Sequence, residues 1–163
     1  MRLEIEGLTI RAGVRDLLPD VSLALPGDGI TALIGPSGCG KTSVLKWLAG
    51  IAASTLTAQG KLLLDGCAIA RPAPEIGYQP QSDALFPWLT VAENAALGLQ
   101  VAGLGRRAAL ARVRPLFAPF GLAGAEDLFP AQLSGGMRQR AAFLRTMAME
   151  SRFVLLDEPF SAL

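Results

Sequence analysis

Residues 30–42 read ITALIGPSGCGKT, and this stretch decides the fold class of the 163-residue chain. The apolar run Ile30–Ile34 is typical of a parallel strand covered on both faces, and Thr42–Leu48 is expected to form a helix. A glycine-rich loop lies between them, and its backbone N–H groups can wrap a phosphate at the N-terminus of the helix. The stretch therefore predicts a loop that binds the phosphates of a nucleotide.

The loop reads GPSGCGKT, and its last two residues carry side chains suited to phosphate chemistry. Lys41 is expected to reach the β- and γ-phosphates, and the Thr42 hydroxyl to coordinate Mg²⁺. The simpler alternative is a glycine turn with an exposed lysine. The residues predicted to hold the nucleotide here are Gly35, Pro36, Ser37, Gly38, Cys39, Gly40, Lys41 and Thr42.

Outside this stretch, strand-like and helix-like segments alternate along the chain. Leu3–Glu6 and Val21–Leu25 alternate between apolar and polar residues, as half-buried antiparallel strands do. Phe153–Leu156 is wholly apolar, which favours a parallel strand covered on both faces. Residues 90–125 are rich in Ala, Leu and Arg with glycine and proline breaks, which indicates short helices. The fold class predicted is α/β, with a helical insertion in the second half.

Composition excludes several classes of protein. With 51% hydrophobic and 18% charged residues, the chain is expected to form a domain with a sizeable core. A net charge of +1 offers no electrostatic basis for nucleic-acid binding. The longest uncharged run, Trp47–Gly60, is too short and polar to span a bilayer, and the N-terminus is not a secretion signal. We expect a cytosolic chain in which Cys39 and Cys67 stay reduced.

A second glycine-containing motif, LSGGMRQR, occupies Leu133–Arg140. Its Ser134, Gly135 and Gly136 precede an amphipathic helix and form a candidate second phosphate cradle. The simpler alternative is an N-cap and turn. The residues expected to share the apolar face of this helix are Met137, Ala141, Leu144 and Ala148.

A third motif, FVLLDEP, begins at Phe153. Its apolar run is expected to deliver Asp157 and Glu158 to an active site at the end of a buried strand. The simpler alternative is a solvated strand end.

Together these motifs resemble the nucleotide-binding ATPase subunit of ABC transporters. GPSGCGKT resembles the Walker A loop, LSGGMRQR the signature motif, FVLLDEP the Walker B strand, and the final FSAL (160–163) the start of the D-loop. The family also carries a glutamine loop between the first two motifs, for which Gln79 and Gln81 are candidates and Gln81 is preferred. The resemblance implies a P-loop NTPase core with a parallel sheet, an N-terminal antiparallel β subdomain and a helical subdomain.

In that family two ATPase subunits pair head to tail, so each ATP lies between the P-loop of one and the signature motif of the other. The implied cofactors are ATP and Mg²⁺. Asp157 would hold Mg²⁺ through water, Glu158 would polarise the attacking water, and Gln81 would sense the metal and γ-phosphate. The implied catalytic residues are thus Glu158 and Gln81, and the implied metal-binding residues are Thr42, Gln81 and Asp157.

The resemblance also implies domain boundaries and partners. Residues 1–83 and 150–163 would form the ATP-binding core, and 84–149 the helical subdomain. Leu85–Trp88 would dock a transmembrane permease subunit, although Trp88 is alternatively a core residue. A second ATPase subunit and a solute-binding protein would complete an importer on the cytoplasmic face of the plasma membrane. Residues 83–99 are similar to importers of sulfonates, nitrate or thiamine precursors.

Two departures from the family pattern lead to further expectations. The aromatic residue that usually stacks on adenine is missing, and Arg11 is the candidate replacement. The family's D-loop continues into a helix, a strand in the middle of the sheet and a loop with a histidine, but the chain contains no histidine, and without that strand backbone groups of the sheet would be left unpaired. We therefore expect these residues to be part of a longer gene product and to be unstable alone. The alternatives are a soluble ABC ATPase without a transport role and a nucleotide-binding fragment that does not hydrolyse ATP.

Overall fold

The computed structural model describes residues 1–159 and divides into two compact units, Met1–Ile76 and a second that begins at Gly77. The predicted start of the D-loop, residues 160–163, lies outside the described residues. The assignment of 1–83 and 150–163 to an ATP-binding core concerns function and stays a prediction. Nowhere in residues 1–159 does a helix combine the length and apolar character needed to cross a bilayer.

The first unit is built on a four-stranded antiparallel sheet. Its strand order is β2-β1-β3-β4, and the bounds are β1 Arg2–Ala12, β2 Arg15–Pro26, β3 Leu56–Leu64 and β4 Cys67–Ala68. The predicted antiparallel β subdomain is confirmed. The β1 strand extends beyond the alternating segment Leu3–Glu6. A register shift between Glu6 and Thr9 changes which positions face inward, so a single alternation does not run through the whole strand. The residues that it buries are Leu3, Ile5, Leu8 and Ile10.

The prediction of a buried strand at Ile30–Ile34 is wrong for the described residues. This segment belongs to none of their strands, and Ile30 and Ile34 are 99% and 90% exposed. A strand needs neighbours for its N–H and C=O groups, and no strand of the first unit pairs with this one. The helix after it is confirmed as α1, Lys41–Leu48, which buries Val44, Trp47 and Leu48.

Two short strands and three helices make up the second unit. Strands β5 (Ile76–Gln79) and β6 (Phe153–Leu156) form a two-stranded parallel sheet. The predicted bounds of β6 are confirmed, but burial on both faces is wrong, because Leu155 is buried while Leu156 is 37% exposed. The helices are α2 Val91–Val101, α3 Arg106–Val113 and α4 Gly135–Met147, with single 3-10 turns at Arg114–Leu116 and Pro130–Gln132.

The helices enclose the main core of the second unit, which contains many alanines. Ala95 and Ala96 of α2 and Ala141 and Ala142 of α4 are all buried, and small side chains let helix backbones approach closely. The predicted apolar face of α4 is confirmed for Ala141, Leu144 and Ala148, with Met137 packed at its edge. The prediction of short helices within residues 90–125 is also confirmed.

The N-terminus of α2 is held by a buried side chain. Asn94 is fully buried; its Oδ1 accepts from the Phe86 N–H at 2.8 Å, and its Nδ2 donates to the Phe86 and Leu89 carbonyls, both at 3.1 Å. Thr90 and Glu93 form a capping box beside it. Hydrogen bonding to Thr90 and Arg106 lowers the pKa of Glu93. Asn94 therefore determines the path of the chain before α2.

Asn94→Ala is expected to destabilise the protein by about 2–4 kcal/mol, because it leaves several buried backbone groups without a partner. Urea unfolding followed by circular dichroism measures this loss. Gln100→Ala, in the same helix but outside this network, is the matched control. A loss for Asn94→Ala no larger than that of the control would show that water or a local shift replaces the bonds.

Candidate functional site

The loop before α1 has the backbone shape of a phosphate cradle. Gly38 and Gly40 have φ angles of +76° and +98°, in the left-handed region that side chains rarely adopt. Gly40 is the N-cap of α1, whose first turn contains no acidic residue. The first N–H groups of a helix have no partner within it and carry a partial positive charge. The end of α1 is therefore suited to an anion.

Two side chains close the same loop. A Cβ atom on Gly35 would lie 2.9 Å from Cys39 Sγ, so a larger residue at position 35 would require the Cys39 side chain to move. The Lys41 ammonium donates to the carbonyls of Gly35 and Pro36, both at 2.8 Å, and is thereby held across the loop. A glycine cradle, a helix N-terminus and a lysine in one place are suited to the phosphates of a nucleoside triphosphate. Thr42 follows in the first turn of α1.

The carboxylates of FVLLDEP lie at the carboxyl end of β6. Asp157 is 5% exposed; its N–H donates to the Gln79 carbonyl at 3.0 Å, and its Oδ2 accepts from the Tyr78 hydroxyl at 3.0 Å. Glu158 is exposed and has a φ of +46°, a strained conformation for a residue with a side chain. The two neighbours thus occupy different environments, one anchored in the protein and one facing solvent.

The two candidate glutamines have different surroundings. Gln79 is 6% exposed, and its Oε1 accepts from the Thr146 hydroxyl at 2.7 Å, so it is part of the interior. Gln81 is exposed, and its Nε2 donates to Glu158 Oε2 at 2.9 Å. The structure therefore brings Gln81, and not Gln79, to the predicted catalytic carboxylate. This geometry supports the preference for Gln81, whose function stays a prediction.

Tyr78 contacts the predicted site residue Asp157, and the sequence analysis missed it. Its pKa is raised, first by burial and then by the hydrogen bond to Asp157 and that residue's charge. The phenol therefore keeps its proton and acts as a donor. No local pattern reveals this role, because it depends on the pairing of strands that are more than 70 residues apart in sequence.

The signature segment forms the start of α4. The Ser134 Oγ accepts from the Met137 N–H at 3.3 Å, so the serine is the N-cap of the helix, as the simpler alternative held. Ser134 and Gly135 are exposed, and the first turn contains no acidic residue. A helix end of this kind is suited to a phosphate as well. The cap and the cradle are compatible, since a capping hydroxyl that accepts one bond can still donate another.

Two arginines of α4 hold the segment that follows Gln81. Arg145 donates to the Ala84 carbonyl at 2.6 Å and to the Asp83 carbonyl at 3.0 Å, and Arg138 Nε lies 3.2 Å from the Asp83 carboxylate. Burial lowers the pKa of Arg145, and the Asp83 charge opposes this shift. The helix that begins with the signature motif is therefore attached to the glutamine loop, a contact that the sequence analysis did not anticipate.

An exposed aromatic pair precedes α2. Trp88 is 68% exposed and Phe86 38%, and their ring centroids are 5.2 Å apart. The alternative of Trp88 as a core residue is therefore wrong. Leu85 is buried, so the part of Leu85–Trp88 that faces solvent is Phe86, Pro87 and Trp88, hereafter the aromatic patch. Exposed patches of this kind mark binding surfaces.

Arg11, the candidate for adenine stacking, lies on the hairpin of β1 and β2. Its Nε is 2.6 Å from Asp16 Oδ1, and both side chains are more than half exposed. Exposed ion pairs contribute little to stability. Stacking of Arg11 on a base stays a hypothesis, because the structure shows the guanidinium only in its exposed ion pair with Asp16.

An α/β fold with a glycine loop at a helix N-terminus and carboxylates at the end of a parallel strand defines a P-loop nucleotide-binding domain. Comparison with known families is specific: the family described as ABC transporter matches residues 18–161. The chain belongs to the ABC transporter family, as its motifs predicted.

Similar proteins include ATP-binding proteins of importers. The taurine import ATP-binding protein TauB of Pseudomonas aeruginosa PAO1 is 42% identical over 166 residues, which cover 99% of this chain and 62% of TauB. TauB of Burkholderia thailandensis is 40% identical over 94% of this chain and 58% of its own length. An uncharacterized ABC transporter ATP-binding protein of Methanocaldococcus jannaschii is 37% identical over 100% of this chain and 61% of its own length. The chain thus spans about 60% of the length of these relatives.

Proposed function

We propose that this chain belongs to the ATP-binding subunit of an ABC importer, which hydrolyses ATP at a head-to-tail dimer interface. The observation that carries the proposal is the presence of two helix N-termini suited to phosphate, at α1 and α4, on one chain. If each nucleotide site is shared between two copies, the N-terminus of α1 in one copy and the N-terminus of α4 in the other bind the same nucleotide. A symmetric pair satisfies both copies at once, and ATP then stabilises the dimer.

The proposed roles follow from what each side chain can do. Lys41 and the loop amides bind the phosphates, and the Thr42 hydroxyl and Asp157 would hold Mg²⁺, Asp157 through water. When bound there, Mg²⁺ would supply charge neutralisation to the phosphates during transfer. Glu158 accepts a proton from the attacking water, and Gln81, bonded to Glu158, orients that water and senses the γ-phosphate. Ser134, Gly135 and Gly136 bind the phosphates of the nucleotide held by the partner copy.

The proposed partners are permease subunits, which would dock on the aromatic patch, and a solute-binding protein. The subunit would lie on the cytoplasmic face of the membrane. Taurine is the first solute to test, because the names of several relatives specify taurine import. Arg145 and Arg138 would pass motion from the patch to α4, since both contact the segment between Gln81 and the patch.

The proposal is tested by uptake of labelled taurine in cells that lack the gene and carry it back on a plasmid. Trp88→Glu is expected to reduce uptake at least tenfold while leaving ATP binding unchanged, because a carboxylate replaces an exposed anchor in the docking surface. Val101→Glu, also at an exposed apolar position, is the matched control.

Other outcomes separate the alternatives. If cells that lack the gene take up taurine and other sulfonates at the same rate as wild-type cells, the role of a sulfonate importer would be contradicted. A protein that also fails to co-purify with integral membrane proteins would favour an ABC ATPase without a transport role.

A further inference from the structure

The Tyr78 hydroxyl donates a hydrogen bond to Asp157, the carboxylate predicted to hold a metal ion. We infer that Tyr78 is a positioning residue, whose hydroxyl holds the Asp157 carboxylate in the orientation that would hold, through water, the Mg²⁺ of the bound nucleotide. The inference rests on the proposed function and adds to it a residue that does not itself touch substrate.

The geometry restrains Asp157 at two points. Its backbone N–H donates to the Gln79 carbonyl at 3.0 Å, which fixes the main chain directly after β6. Its Oδ2 accepts from the Tyr78 hydroxyl at 3.0 Å, which fixes the rotation of the carboxylate. Tyr78 and Gln79 are neighbours on β5, so one strand sets both restraints.

Such a restraint matters for a magnesium site. Mg²⁺ demands nearly ideal octahedral geometry and is bound through few protein groups, so a carboxylate that rotates freely binds it poorly. Groups that hydrogen-bond to a metal-binding side chain typically change metal affinity or activity 10- to 100-fold. Asp157 is also buried, and a buried carboxylate requires hydrogen-bond donors. The half-buried Tyr78 hydroxyl supplies one.

The test uses the protein made from its complete gene and a fluorescent ATP analogue, titrated with Mg²⁺ at fixed nucleotide. Tyr78→Phe removes only the hydroxyl. We expect the Mg²⁺ concentration for half-maximal binding to rise about tenfold, while the affinity for the analogue without Mg²⁺ changes less than twofold. Replacing Tyr78 by 4-aminophenylalanine, which keeps a donor at the same place, should restore most of the Mg²⁺ affinity.

Thr146→Val is the matched control, because it removes a hydroxyl bonded to Gln79 and lies outside the Asp157 carboxylate's contact with Tyr78. An unchanged Mg²⁺ requirement in Tyr78→Phe, an equal rise in Thr146→Val, or no rescue by 4-aminophenylalanine would each overturn the inference. If Tyr78→Phe melts below the assay temperature, the 4-aminophenylalanine variant is compared with 4-methylphenylalanine, which fills the same space without a donor. A wild-type protein whose nucleotide binding ignores Mg²⁺ would overturn the proposed function, and the inference with it.

Discussion

Glu158→Gln is expected to lower kcat for ATP hydrolysis by about 10²- to 10⁴-fold, the usual contribution of a general base. The amide has the shape of the carboxylate and keeps an oxygen that can accept the Gln81 Nε2 bond, so the local geometry should persist. Only the ability to accept a proton is lost. Release of inorganic phosphate under saturating MgATP measures the effect.

The same variant should accumulate as an ATP-bound dimer, because the proposed site would close on ATP and could not reopen by hydrolysis. Size-exclusion chromatography with and without MgATP detects this species. Glu150→Gln is the matched control, since Glu150 has a similar φ of +51° but lies in an exposed ion pair with Arg112. Hydrolysis at the wild-type rate in Glu158→Gln would exclude the proposed base, and the absence of hydrolysis in the wild type would favour a non-hydrolysing fragment.

Lys41→Ala is expected to weaken MgATP binding by about 10- to 100-fold, because hydrogen bonds to a charged group contribute about 1.5–3 kcal/mol. The ammonium already lies across the loop, 2.8 Å from two of its carbonyls, so little rearrangement is needed for it to meet a phosphate. Isothermal titration calorimetry with a non-hydrolysable ATP analogue gives the Kd. Hydrolysis should fall at least as far.

The control for Lys41→Ala is Lys46→Ala in the last turn of α1, which removes the same charge from the same helix. Equal losses of affinity in the two variants would mean that Lys41 acts only through net charge. Circular dichroism separates lost binding from lost folding, since the Lys41 bonds also hold the loop together. A well-folded Lys41→Ala variant that binds ATP normally would contradict the phosphate cradle at α1.

Short-range features of the fold were predictable because they rest on local chemistry. The bounds of β6, the helix after the glycine loop and the buried face of α4 follow from runs and periods within a dozen residues. Prediction fell short in β1, where the register shift after Glu6 breaks the alternation. It was wrong at Ile30–Ile34, where an apolar run indicates a buried strand but cannot supply the partner that a strand needs.

The residues of the candidate site also differ in whether local sequence could reveal them. Lys41 and Ser134 were identifiable because glycine and a helix start surround them in sequence. Tyr78 was not, since its contact with Asp157 spans 79 positions, and neither was the contact of Arg145 with the residues after Gln81. Such contacts depend on the pairing of β5 with β6 and on the packing of α4, which no single segment encodes.

By itself, the sequence determined the family and the chemistry of its motifs. A glycine loop, a capped helix start and a pair of carboxylates can each be recognised from a few neighbouring residues, because they depend on local backbone conformation and local charge. The tertiary structure alone decided which glutamine meets Glu158, which residues of Leu85–Trp88 face solvent, and which side chain holds Asp157. The physical reason is that hydrogen bonds and burial are settled between segments far apart in the chain, through strand register and helix packing.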